Sequence, residues 1–183
     1  MHFKAIFLSA ALAAVAPTFA EGNLGNAIVR NQCHRPIHIW SIADSNQQKS
    51  EIVQPGGVYS EQYKTNGNGG GISIKIAYED SQNDVSQFEY TLAPAEGKVY
   101  YDLSNINGYP FQAGGASIIP SDGSCPRVNC PPGVKECKDA YNQPFDDHAT
   151  KACSDSTDLT LTLCIGGQPG NQKVKRHPRD FHA

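Results

Sequence analysis

Six cysteines, at positions 33, 125, 130, 137, 153 and 164, all lie downstream of a leader-like N-terminus, and this constrains the fold more than any other feature. The first twenty residues read as an address. A weakly basic start (His2, Lys4) runs into the apolar stretch Ala5–Ala16, and Thr18-Phe19-Ala20 offers small residues where a signal peptidase cuts. That apolar stretch is about a dozen residues, short of the ~20 needed to span a bilayer, and no later segment is longer. Residues 1–20 are therefore expected to be a signal peptide and the product to be exported, with no transmembrane segment. An even cysteine count in an oxidising compartment predicts three disulfides. The rival is a zinc site, because His34 adjoins Cys33 and His148 lies near Cys153. Without a CxxC or HxxxH pair, no metal is expected. Six cysteines allow fifteen pairings, and counting alone does not choose among them.

What remains after the leader is about 160 residues, enough for one domain. The whole chain carries a formal charge of −3, and losing Lys4 makes the product one unit more negative. This balance argues against nucleic acid or an anionic membrane as the main partner. Modest hydrophobicity and 17 glycines suit a loop-rich β domain better than a helical one.

Period-two patterning supports the same class. Ile72, Ile74, Ile76 and Tyr78 alternate with Ser73, Lys75 and Ala77; Phe88, Tyr90 and Leu92 alternate with Gln87, Glu89 and Thr91. Val99, Tyr101 and Leu103 alternate with Tyr100, Asp102 and Ser104, and Leu159, Leu161 and Leu163 with Thr160 and Thr162. Strands with one buried and one wet face give this pattern. Strands are expected over Asn26–Gln32, Pro36–Ile42, Gly57–Lys64, Ile72–Tyr78, Ser86–Leu92, Lys98–Ser104, Ala116–Ile119 and Asp158–Ile165. Such spacing predicts a sandwich or flattened barrel. Asn66–Gly71 reads as a flexible hairpin connection. It lacks the following helix and Lys-Ser/Thr pair of a phosphate loop. The stretch Cys125–Cys153 reads as a stapled loop excursion with a turn of helix near Lys135–Tyr141. Residues 166–183 are polar and basic (Lys173, Lys175, Arg176, Arg179) and are expected to form a disordered tail, with Lys175-Arg176 a candidate processing site.

Three ordered motifs resemble the thaumatin-like proteins. CKDAYNQPFDD (Cys137–Asp147) is similar to the family's C-terminal signature of cysteine, Asp-Ala-Tyr and paired aspartates. VYYDLSNINGYPFQ (Val99–Gln112) resembles its strand aspartate followed by a hydrophobic turn. FEYTL (Phe88–Leu92) resembles the strand whose cleft glutamate stands thirteen residues earlier, as Glu89 does before Asp102. NAIVRNQCHRPIHIW and PGGVYSEQY also match the small fungal secreted members, the antigenic thaumatin-like or Blastomyces yeast-phase-specific proteins. The resemblance implies an all-β, thaumatin-like antiparallel β-sandwich over residues 21–165 with a reduced disulfide-stapled loop region. It also implies the pairs Cys33–Cys164, Cys125–Cys153 and Cys130–Cys137.

The same resemblance implies an acidic cleft linked to β-glucan. Glu89 and Asp102 match its glutamate and first aspartate, Asp146 or its neighbour Asp147 the last, and Asn107 replaces the middle one. Lys75 is the stand-in for the family's arginine. Carboxylates accept hydrogen bonds from sugar hydroxyls, and aromatic rings (Tyr100, Tyr109 and Phe111 are candidates) stack on sugar faces. Hydrolysis would demand an acid and a nucleophile or base at set separation, for which Glu89 and Asp102 are the candidates. The altered aspartate and reduced second region argue against it. The expectation is a monomeric, non-catalytic secreted protein needing no cofactor and associated with the fungal cell wall. It would bind wall β-glucan, aid wall remodelling during germination or growth, and adhere to host-surface proteins as an antigen. The alternatives are a weak endo-β-glucanase and a secreted effector or antifungal protein. No serine-hydrolase elbow is present, and His38 reads as a packed or edge histidine.

Overall fold

Alternating residues close into two facing sheets in the computed structural model, which describes residues 23–43, 49–67 and 69–167. The expected signal peptide and the tail beyond Gly167 lie outside the described residues. Eleven strands are described: β1 (Asn26–Asn31), β2 (Ile37–Ile42), β3 (Glu51–Val53), β4 (Val58–Gln62), β5 (Ile72–Ala77) and β6 (Ser86–Ala93) in the first half. The second half supplies β7 (Lys98–Ser104), β8 (Ala116–Pro120), β9 (Val128–Cys130), β10 (Lys151–Ser154) and β11 (Leu159–Leu163). One sheet has the order β4-β1-β11-β8-β9 and the other β10-β7-β6-β5-β2-β3.

The inward parity is the apolar one. Ala27 and Val29, Ile74 and Ile76, Phe88, Val99 and Leu103, and Leu159, Leu161 and Leu163 are all fully buried between the sheets. Each such side chain contributes roughly 1.5–3 kcal/mol by leaving water, which makes this layer the main source of stability.

Among the described residues, all pairings between the named strands but one are antiparallel; β1 runs parallel to β11. That exception explains the long disulfide. Parallel strands end at the same edge of a sheet, so Cys33, just past β1, meets Cys164, just past β11, with Cα atoms 5.1 Å apart. Antiparallel pairing would separate the two cysteines by a strand length. Cys125–Cys153 ties the loop after β8 to β10 and so staples sheet to sheet, while Cys130–Cys137 closes a small loop after β9.

Two local expectations are corrected. Asn66–Gly71 is not a hairpin connection, because β4 and β5 belong to different sheets and the segment crosses between them. Lys135–Tyr141 holds a single hydrogen-bonded turn, the Ala140 amide donating to the Cys137 carbonyl at 3.2 Å, rather than a helical segment. Asn142 takes its place: its Oδ1 accepts from the Cys137 amide, and its Nδ2 donates to the carbonyls of Cys137 and Ala140. Helical bonds would need those same backbone groups. Among the described residues, helical geometry is confined to two short 3-10 turns, Pro94–Glu96 and Asp147–Ala149.

Candidate functional site

The outer face of the six-stranded sheet collects the polar parity of β5, β6 and β7. Register sets its rows. Ser73, Glu89 and Asp102 lie side by side across the three strands, and Lys75, Gln87 and Ser104 form the next row. Directly opposed residues have Cβ atoms ~4.5–5.5 Å apart, so Glu89 and Asp102 stand as immediate neighbours. Both line a cavity of about 450 Å³, together with Ser73, Thr91, Tyr100 and Thr150, and with Ile42 and Gly71. Gly71 is required there: a Cβ would come within 2.7 Å of Thr91 Oγ1 and 3.0 Å of the Tyr90 carbonyl oxygen.

The electrostatics of the pair are unusual. Burial, then the neighbouring Glu89 carboxyl, push Asp102 up to about 7, with Lys151 opposing. Burial also raises Glu89, against a hydrogen bond from Ser73 and the charge of Lys75. Asp102 Oδ1 is buried without a hydrogen-bond partner. Neither lysine forms an ion pair with them: Lys75 Nζ donates to Gln82 Oε1 at 3.2 Å and Lys151 Nζ to the His148 carbonyl at 3.0 Å. Two partly buried carboxyls side by side, with lysine charges nearby but no direct ion pair, resist full ionisation.

A sequence model of the Bys1 family, described as Blastomyces yeast-phase-specific protein, matches residues 12–165. The chain belongs to that family. It is 52% identical over 194 residues to an antigenic thaumatin-like protein of Arthroderma benhamiae, covering 100% of this chain and 98% of that one. It is 38% identical over 143 residues to the secreted thaumatin-like protein calA of Emericella nidulans, covering 76% and 81%. Among solved structures, the protein elicitor MoHrip2 of Magnaporthe oryzae superposes with a TM-score of 0.64 at 22% identity, over 76% of this chain and 98% of that one. The thaumatin-like xylanase inhibitor TLXI does so at 0.51 and 14% identity, over 75% and 98%. At those identities the two structures establish the thaumatin-like fold and nothing about ligands.

In this Bys1-family sandwich the residues singled out from sequence fall in three places. Glu89 and Asp102 share the cavity. Lys75 and Asn107 border the next row, where Asn107 Oδ1 accepts from Gln87 Nε2 at 3.1 Å, and neither lines the cavity. Asp146 and Asp147 sit in the turn before β10. Asp146 Oδ2 accepts the amides of Asn142 and Gln143, each at 2.9 Å, and these backbone bonds hold its carboxyl below the ordinary range. The turn reaches the cavity through Tyr141, whose hydroxyl lies 2.7 Å from Thr150 Oγ1. Of the candidate stacking rings, Tyr100 lines the cavity with its hydroxyl bound to Glu96, whereas Phe111 is core, packed against Tyr78.

Sequence reasoning missed Ser73 and Thr91 as lining residues, although their alternation parity carried the signal. Thr150 had no such signal, because a loop delivers it. His38 lies half-buried beside Trp40, its Nδ1 3.3 Å from Ser50 Oγ, whose hydroxyl donates to Asp80 Oδ1 at 2.7 Å. Among the described residues, the grouping with metal-ligand atoms in range is Asp122, Cys125 and Cys153, whose two sulfurs are joined in a disulfide.

Proposed function

We propose that this protein is an exported, wall-associated fungal protein that binds β-glucan in the cavity built on Glu89 and Asp102, without hydrolysing it. The observation that carries the reading is the shared cavity. It sets two carboxyls, three hydroxyl-bearing side chains and the Tyr100 ring around about 450 Å³, space for a short stretch of sugar. Wall remodelling during germination or growth follows from such binding, and attachment to host-surface proteins is a further role for an exposed wall component. The export reading draws support from the leader-like first twenty residues and from a relative whose name includes the word secreted.

Hydrolysis is the second reading, favoured by the raised Asp102 beside Glu89. Geometry weighs against it. Both carboxyls rise from adjacent strands on one face, a spacing nearer the ~5–5.5 Å of retaining than the ~6.5–9.5 Å of inverting pairs, but both approach a sugar from the same side rather than flanking the bond to be cut.

The test is retention of the full secreted protein on insoluble β-1,3-glucan, with chitin as comparison, for wild type, Glu89→Ala and Asp102→Ala. Retention on glucan that falls at least tenfold in either variant supports the proposal. Equal retention of all three, or none on glucan, rejects it. Reducing-sugar release from laminarin that disappears in Glu89→Gln would establish the enzyme instead.

A further inference from the structure

We propose that Phe145 is a second binding element for the glycan, its ring stacking on a sugar of the same β-glucan chain where that chain leaves the cavity of Glu89 and Asp102. This rests on the reading of the cavity as a glycan site and adds the residue that makes it prefer long chains to short ones.

Exposure sets this ring apart. Phe145 is 89% exposed, whereas the other exposed large apolar side chains among the described residues are aliphatic and at most 58% exposed. A phenyl ring left in water forgoes the gain that burial would bring.

The loop that carries the ring has both feet on β7. Tyr141 forms an isolated parallel bridge with Ser104, and Lys151 opens β10 opposite Tyr101, so residues 142–150 leave and rejoin the sheet edge on either side of Asp102. The first foot is fixed by the Tyr141 amide, which donates to the Leu103 carbonyl at 2.9 Å, and by the Asn105 amide, which donates to the Tyr141 carbonyl at 2.8 Å. At the second foot Thr150 lines the cavity, its Oγ1 2.7 Å from the Tyr141 hydroxyl. Phe145 follows Tyr141 by four residues. A chain covers at most ~3.6 Å per residue, which keeps the Phe145 Cα within about 14 Å of that foot.

Bonds within the loop draw it closer and hold one shape. Asp146 Oδ2 accepts the Asn142 and Gln143 amides, the Asp146 amide donates to the Gln143 carbonyl at 3.2 Å, and the Ala149 amide donates to the Asp146 carbonyl at 2.8 Å. Pro144 fixes the backbone angle directly ahead of the ring. A ring presented on an ordered turn binds with little loss of loop freedom.

The two places offer different chemistry to one ligand. The cavity supplies carboxylates and hydroxyls, but about 450 Å³ admits only a short stretch of sugar, and a polymer must continue outside it. A chain leaving past Thr150 meets the loop, where an aromatic face packs on the C–H face of a pyranose as no carboxylate does. A long chain then engages both elements at once, and a short one the cavity alone.

Calorimetric titration of the full secreted protein with laminaribiose and laminarihexaose tests this. Phe145→Ala should weaken the hexaose Kd about fivefold and leave the biose Kd unchanged. Phe145→Tyr should restore hexaose binding, and Phe145→Leu, apolar but without a ring face, should not. An unchanged hexaose Kd in Phe145→Ala, an equal loss for both sugars, or full recovery with Phe145→Leu overturns the aromatic element; the cavity reading stands if Asp102→Ala still weakens both sugars. Failure of the wild type to bind either sugar overturns the aromatic element and the glycan cavity together.

Discussion

The phenol of Tyr90 donates to Glu61 Oε1 at 2.8 Å, joining β6 of one sheet to β4 of the other. Glu61 also accepts from Tyr59 and Lys64, and Lys64 reaches Ser41 on β2. One carboxylate, with a side chain only 13% exposed, thus organises a polar clasp at the seam of the sandwich. Burial pushes this carboxyl up, but the hydrogen bonds from Lys64, Ser41, Tyr90 and Tyr59 outweigh it and hold it below its ordinary range. Glu61→Gln should therefore cost about 1.5–3 kcal/mol at pH 7. A depressed carboxyl stabilises above its unfolded pKa and loses that contribution as pH falls through the folded value. The gap between wild type and variant should shrink below about pH 4, as urea denaturation at pH 7 and pH 3 will show.

Asp102 has the opposite sign. A carboxyl raised in the folded state contributes fully below its unfolded value, near 4, and loses that contribution as pH rises through about 7. Asp102→Asn should gain on wild type between pH 4.5 and pH 8 by on the order of 2 kcal/mol, a figure reduced for partial exposure. Thermal melts across that range are the measurement, and a constant difference would contradict it.

The disulfides should differ in worth. On the chain-entropy model the Cys33–Cys164 bridge, separated by 131 residues, contributes about 5 kcal/mol, and the Cys130–Cys137 bridge about half that. Paired serine substitutions compared by denaturant midpoint should rank the two in that order.

Asp146 binds its own turn, so Asp146→Ala should speed hydrogen exchange at the Asn142 and Gln143 amides. Retention on glucan should change less than in Asp102→Ala. A larger loss of retention would move Asp146 into the binding site.

Gly108 has φ +130°, and a Cβ there would lie 2.1 Å from Asp84 Oδ1 and 2.8 Å from the Val85 amide. Gly108→Ala should destabilise by roughly 2–4 kcal/mol through clash and backbone strain, read as a lowered melting temperature.

Legibility in the sequence followed strand length and local parity. All eight expected strands have five or more residues in the structure, enough to show alternation; Val58–Gln62, Ala116–Pro120 and Leu159–Leu163 are the shortest at five. The strands that went unseen, Glu51–Val53, Val128–Cys130 and Lys151–Ser154, have three or four residues, too few for a period-two signal. They are edge strands held by neighbours that alternation does not reveal. Of the candidate site, Glu89 and Asp102 were legible because both the motif and the wet parity pointed to them. Thr150 was not, since its place depends on the turn that Asn142 and Asp146 organise.

Sequence alone determined the strand faces and the disulfide chemistry, because alternation and an even cysteine count act locally or by number. The parallel pairing of β1 with β11 and the facing of Glu89 and Asp102 were decided in three dimensions. Both depend on which distant segments meet and in what register, and that is set by burying every apolar face at once.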